Sequence, residues 1–176
     1  MKRFFYLGMI SFLFVALISS CAQKHKSKRP SPPAKVTQKV GKTTVTIKYG
    51  QPSVKGRTIG TDLEPMPGKV WRAGANEATV FQVDKDVLVE GKLLPKGKYS
   101  FYILQQGGRS WNLIFNKNWD QWGTKYDQAG DLFRIPVRGS KPPEFSEKLT
   151  YKISPDGIVS LLWGDKQIDF QVQEKN

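Results

Sequence analysis

Cysteine and histidine are nearly missing from this chain, which has one of each in 176 residues, Cys21 and His25. A single thiol excludes a disulfide within the chain and a thiolate metal cage. A single histidine, in a stretch too polar and proline-rich to pack, excludes a Ser-His-Asp triad, a Cys-His pair and the usual histidine-containing zinc sites. No GxxxxGK[ST] loop, dinucleotide fingerprint or EF-hand spacing occurs, so the sequence predicts neither cofactor nor metal. Carboxylate chemistry survives, since two acids about 5 to 9 Å apart can hydrolyse a glycosidic bond. Glu77 and Asp127 are the weak candidates for acid and base, with Glu90, Asp120 and Asp131 behind them. Among 15 acidic residues some pair will lie at that separation whatever the function, so the count alone argues nothing.

Long apolar runs are also scarce. The one present spans Phe4 to Ile18, apolar apart from Gly8 and Ser11, and follows Lys2 and Arg3. A membrane-crossing helix needs about 20 such residues. A basic start, a shorter apolar middle and small residues after it match an export signal better. Ile18-Ser19-Ser20-Cys21 is similar to the lipobox of bacterial lipoproteins, in which the thiol is acylated and the chain is cut just before it. That resemblance implies a signal peptide over 1–20 and lipidation of Cys21. Ala22 stands where an inner-membrane retention signal puts Asp, which implies an outer-membrane address facing the periplasm. Several acyl chains, unlike one, give a lasting membrane anchor.

Residues 22–35, AQKHKSKRPSPPAK, hold three prolines, five basic residues and no carboxylate. With Cys21 they read as a basic, proline-rich tether over 21–35, with a root-mean-square reach of about 20 Å. Setting aside Lys2, Arg3, Lys24, Lys26, Lys28, Arg29 and Lys35 leaves 21 of the 28 basic residues against 15 acidic ones, so the formal +13 shrinks to +6 over 36–176. Nucleic-acid binders concentrate positive charge on the folded module, so no nucleic-acid partner is expected. The tether's cations fit anionic lipid headgroups, and they fit a merely soluble linker as well. Residues 36–176 are long enough for one domain that buries about two-thirds of its unfolded surface.

Helical periodicity is lacking in that domain, and a period of two takes its place. In Thr43 to Tyr49, Val45, Ile47 and Tyr49 fall on one face and Thr44, Thr46 and Lys48 on the other. Similar runs lie at 79–83, 87–89, 98–104, 111–116, 132–137, 149–153, 158–163 and 168–172, separated by turn signals such as Glu90-Gly91-Lys92 and Pro155-Asp156-Gly157. About nine short strands without intervening helices predict an all-β antiparallel sandwich, jelly-roll-like or Greek-key.

Two longer connections, 51–77 and 116–131, break the strand spacing, and such loops are more often functional than merely connecting. The first gathers Lys55, Arg57, Lys69 and Arg72 among glycines and ends in Asn76 and Glu77. Guanidinium forks beside exposed backbone N–H groups make an anion site. The competing reading pairs Arg72 with Glu77 or another carboxylate, plugs the core with Trp71 and has Asn76 cap a turn. The second loop carries Trp119, Trp122 and Tyr126 near Asn116, Asn118, Asp120, Gln121 and Asp127. Aromatic faces flanked by amides and carboxylates match a sugar, which has an apolar face and several hydroxyls. The same residues also describe a loop folded over the core with its indoles as plugs.

GKTTVTIKYGQPSVKGRTI, GKVWRAGANEAT, GKLLPKGKYSFYIL, WNLIFNKNWDQWGTKYD and DLFRIPV, in that order, resemble the bacterial family catalogued as domain of unknown function 2911. The likeness spans nearly the whole exported part and implies a β-rich, exported or lipid-anchored protein with no assigned activity. Gln51 departs from the basic residue expected before the Pro-Ser pair, which puts in doubt any binding role at that position. Sequence and resemblance together predict a lipid-anchored binding or interaction module for envelope glycans or another envelope protein. Arg57, Arg72, Asn76, Glu77, Asn116, Trp119, Trp122 and Tyr126 are its candidate contacts. The alternatives are a carboxylate-dependent saccharide hydrolase and a purely structural envelope lipoprotein.

Overall fold

Val45, Ile47 and Tyr49 alternate in sequence because they share an interior, where all three are buried while Lys48 between them is exposed. A computed structural model describes residues 26–175; the signal segment, Cys21 and His25 lie outside the described residues. Twelve strands occur among these residues: β1 (Pro33–Val40), β2 (Thr43–Gly50), β3 (Val70–Trp71), β4 (Thr79–Val83), β5 (Val87–Val89), β6 (Lys92–Leu94), β7 (Gly97–Gly107), β8 (Ser110–Asn116), β9 (Asp131–Ser140), β10 (Ser146–Ile153), β11 (Ile158–Gly164) and β12 (Lys166–Glu174). One 3-10 turn, Gln128–Gly130, interrupts the second long loop.

The all-β antiparallel class holds, with twelve strands in place of about nine. The layering differs from the expected sandwich. The strands follow one hydrogen-bonded path, β1-β2-β4-β7-β8-β9-β12-β11-β10, with β5 and β6 attached to β12. The path curls until its ends approach, and β1 lies against β10. Chain beyond β2 draws the seam together. Val54 N–H donates to Glu147 O at 2.8 Å, Leu149 N–H to Pro52 O at 3.0 Å, and the Gln51 amide to Leu149 O at 3.0 Å. On the opposite side β9 and β12 pair only at Gln167–Ser140 and Ile168–Gly139, and at the other end of β12 the β5–β6 hairpin takes up its pairing. A nearly closed barrel leaves little unpaired sheet edge.

Aromatic rings fill the inside. Phe81, Phe101, Phe115 and Phe170 are all but inaccessible and touch one another at centroid separations of 5.2 to 6.2 Å. Trp71 is buried beside Trp163 and donates its indole N–H to Gly74 O at 3.1 Å.

One irregularity positions the candidate site. Opposite β7, Trp71 pairs with Ile103 and Thr79 pairs with Phe101, so the seven residues from Arg72 to Ala78 face Tyr102 alone. β3 and β4 are thus one strand interrupted by an excursion. Local bonds hold its shape. Thr79 Oγ1 and Tyr151 Oη both donate to Ala73 O, at 3.0 and 2.8 Å, and Ala75 N–H donates to Gly50 O at 3.1 Å. Backbone there approaches so closely that a Cβ on Gly50 would sit 2.1 Å from Ala75 O.

Candidate binding site at the loop junction

The excursion 72–78 meets the second long loop. Ala78 N–H donates to Gln121 O and Gly123 N–H to Asn76 O, each at 3.1 Å, with Glu77 and Trp122 as the bridged pair between them. In an antiparallel pair flanked in this way the two side chains stand close together on one face. Glu77 therefore projects beside the Trp122 indole, and residues 45 apart in sequence share one surface. Trp122 is 46 % exposed and Trp119 36 % exposed, so neither serves as a core plug. Lys98 Nζ lies 4.3 Å from the Trp119 ring centroid, a cation–π contact on the flank of the loop.

Beneath the exposed indoles the loop is held rigid. Asn116 is fully buried: its amide donates to Asp127 O at 2.7 Å and to Asp131 Oδ1 at 2.9 Å, and its Oδ1 accepts from Asn118 N–H at 2.9 Å. Asp127 accepts from Ala129 N–H and caps the 3-10 turn. Tyr126 packs edge-on to Tyr102 with centroids 4.9 Å apart. Its hydroxyl donates to Asp131 Oδ2 at 2.7 Å and accepts from Arg134 at 2.6 Å. Burial, reinforced by the Asp131 carboxylate, pushes the Tyr126 phenol up to about 12. Gln121 donates to Tyr102 Oη at 3.1 Å and ties the loop to the barrel wall.

Electrostatically, the pairing of Arg72 with Glu77 does not form. Glu77 instead receives Arg29 on both carboxylate oxygens, at 3.0 and 2.9 Å, and Lys26 at 2.9 Å. Burial pushes the Glu77 carboxyl up, but these hydrogen bonds more than offset it and bring its pKa to about 2. Arg72 makes no hydrogen bond or ion pair among the described residues, and its Nε is buried without a partner. Burial lowers its pKa, and the Glu64 carboxylate offsets part of that, as does the Tyr102 phenol once ionised at high pH. Gly123 lies directly over it, and a Cβ there would stand 1.9 Å from Arg72 Cδ.

The structure thus brings together Arg72, Asn76, Glu77 and Trp122, with Trp119, Tyr126 and Asn116 in the adjoining loop. Arg57 does not share these contacts; its guanidinium is bonded to Val54 O at 3.0 Å and Ser53 O at 2.8 Å beside the seam. Of the carboxylates suggested for catalysis, Glu77 is held ionised by two cations and Asp127 is engaged in capping. Gln51 spans the seam instead of facing the junction.

Sequence reasoning passed over Lys26, Arg29, Lys35 and Lys48, which with Pro33, Ala78, Val80, Asn76 and Glu77 line an open groove of about 510 Å³. The signal for Lys35 and Lys48 was available. A two-residue turn at Gly41-Lys42 fixes the β1–β2 register and sets Lys35 directly opposite Lys48. The N-terminal segment is fixed to the same place, with Asn76 Nδ2 donating to Ser31 O at 2.9 Å.

A family profile, Protein of unknown function (DUF2911), matches residues 31–172. The chain belongs to the DUF2911 family. The DUF2911 match begins within the segment that folds onto the groove and ends in the last strand, so it covers the barrel, the excursion and both loops. No curated protein and no solved structure matches the chain.

Proposed function

We propose that this DUF2911 protein is a lipid-anchored binding module of the cell envelope, and that the loop junction takes a glycan. One observation carries the reading. Two tryptophans stand exposed on a loop whose shape is held by Asn116, Gln121, Tyr126 and Asp127, next to an excursion that interrupts an otherwise regular strand. Burying a Trp stabilises a fold, so a rigid loop that leaves two indoles in water gives up that gain, and a sugar's apolar face would recover it on binding. The hydrolase alternative loses ground because Glu77, with a pKa of about 2, has no proton to donate near neutral pH. The structural alternative loses ground because the buried Arg72 Nε has no hydrogen-bond partner among the described residues.

For location, the basic start, short apolar run and Ile18-Ser19-Ser20-Cys21 support export, cleavage before Cys21 and acylation of its thiol, with Ala22 favouring the outer membrane. Two measurements test the proposal. Intact-mass analysis of native protein should find residues 1–20 gone and Cys21 acylated; a retained leader or free thiol refutes the anchor. Titration of the full chain with a trimer of β-1,4-linked N-acetylglucosamine should quench tryptophan emission in the wild type and not in Trp122→Ala. Equal quenching in both refutes the junction as the site.

A further inference from the structure

The groove beside Trp122 has a charge pattern that the described residues do not balance. Lys35 and Lys48 are direct cross-strand partners on β1 and β2. Counting from the Val40–Thr43 pair that closes the turn, they occupy a position without backbone hydrogen bonds between them, where side chains come closest. The equivalent pair two residues along, Thr37 and Thr46, shows that closeness, with hydroxyl oxygens 3.1 Å apart. Like charges directly opposite one another destabilise a strand pair. Neither ammonium group has an acidic partner or a hydrogen bond among the described residues, and both lysines are exposed. The one carboxylate in the groove, Glu77, is already matched by Lys26 and Arg29. Four cations against one anion therefore line a concavity with a partly apolar floor of Pro33, Ala34, Ala78 and Val80.

We infer that the groove is the receptor for the anionic substituent of a phosphorylated sugar, with Lys35 and Lys48 holding the phosphate and Trp122, across from Glu77, facing the ring. This rests on the glycan reading of the junction and adds the ligand's charge. Lysine binds phosphate as a point charge, and two ammonium groups set side by side lose their mutual repulsion when an anion enters between them. The volume of about 510 Å³ exceeds what a bare phosphate needs and lies in the range of small-ligand sites.

The test titrates the full chain, in detergent, with N-acetylglucosamine 6-phosphate, N-acetylglucosamine and inorganic phosphate, alongside Lys35→Gln/Lys48→Gln and Trp122→Ala. The phosphorylated sugar should bind about tenfold tighter than the neutral one, and the double lysine variant should abolish that difference. Raising salt from low to high should weaken the phosphorylated sugar selectively. The double lysine variant should melt no lower than wild type, because it removes a repulsion. Equal affinity for both sugars overturns the inference and leaves the glycan reading standing. Inorganic phosphate binding as tightly as the sugar phosphate, unaffected by Trp122→Ala, overturns the sugar part along with the glycan reading. Absence of binding by all three overturns both.

Discussion

Replacing Gly123 with alanine asks whether the junction is a fitted contact or a chance approach of two loops. The added Cβ would stand 1.9 Å from Arg72 Cδ and 2.9 Å from both Arg72 Nε and Asn76 O. Real Cβ atoms do not tolerate such distances, so the arginine must swing away and the two backbones must part. Parting them strains the Gly123 N–H to Asn76 O bond of 3.1 Å, which together with the Ala78 bond to Gln121 defines the junction. Overpacking of this kind costs about 1 to 3 kcal/mol and a weakened backbone hydrogen bond about 1 more. Alanine's lower unfolded-state entropy offsets about 0.4 to 1. The net loss is about 1 to 3.6 kcal/mol, a fall in Tm of roughly 2 to 14 °C for a domain of this size. Arg72→Ala removes two of the three close contacts. In that background Gly123→Ala should cost at least about 1 kcal/mol less, a coupling that a double-mutant cycle by urea unfolding resolves. Equal cost in both backgrounds, within about 0.5 kcal/mol, would show that Arg72 is not what Gly123 accommodates.

Three further outcomes follow from the same contacts. Asn116→Ala leaves Asn118 N–H, Asp127 O and Asp131 Oδ1 short of a partner and should destabilise by about 2 to 4 kcal/mol, exposing residues 117–130 to limited proteolysis; an uncut loop would count against the anchoring role. Tyr126→Phe should cost about 1 kcal/mol near neutrality. The folded phenol titrates near 12, above its unfolded value of 10.0, so its contribution is full below pH 10 and vanishes as pH rises through 12; a gap between wild type and variant that persists there would refute the assignment. Glu77→Gln should lose under about 1 kcal/mol, because the pair with Lys26 and Arg29 is well exposed and screened. With the folded carboxyl near 2 against 4.5 unfolded, that loss should be full above pH 4.5 and disappear as pH falls through 2, as read from melting curves across acid pH.

Alternation gave away the strands wherever one face was fully buried, as in β2, β4 and β11, because burial enforces a period of two. It failed for β1, whose inward residues Ala34, Val36 and Gln38 are only half buried and whose first residue is proline, as an edge strand permits. It failed for β3, which is two residues long and owes its pairing to β7. Both long loops were legible as interruptions, yet not their meeting, since Asn76–Gly123 and Ala78–Gln121 bonds join segments about 45 residues apart with no local signature. Arg72 and Glu77 sit five apart in a glycine-rich loop and read as natural partners. Their separation is a tertiary effect, because Lys26 and Arg29 reach Glu77 from a segment whose composition gave no reason to pack.

How the barrel is filled decides where any ligand can go. Many near-closed antiparallel sheets hold ligands inside, but here Phe81 and Phe101, each touching the other and both Phe115 and Phe170, occupy that space with Trp71 and Trp163 stacked nearby. Close-packed interiors do not admit a solute without losing the contacts that stabilise them. Any ligand would therefore be confined to the outer wall, where β1, β2 and β4 present Lys35, Lys48 and Val80 across the sheet and the excursion adds Glu77 beside Trp122. On a smooth barrel that wall would be a flat strand surface. The seven-residue detour opposite Tyr102, braced by Thr79 and Tyr151 on one side and by the second loop on the other, turns it into a groove. The core sets the excursion's anchor points, and the excursion in turn gives the surface its shape.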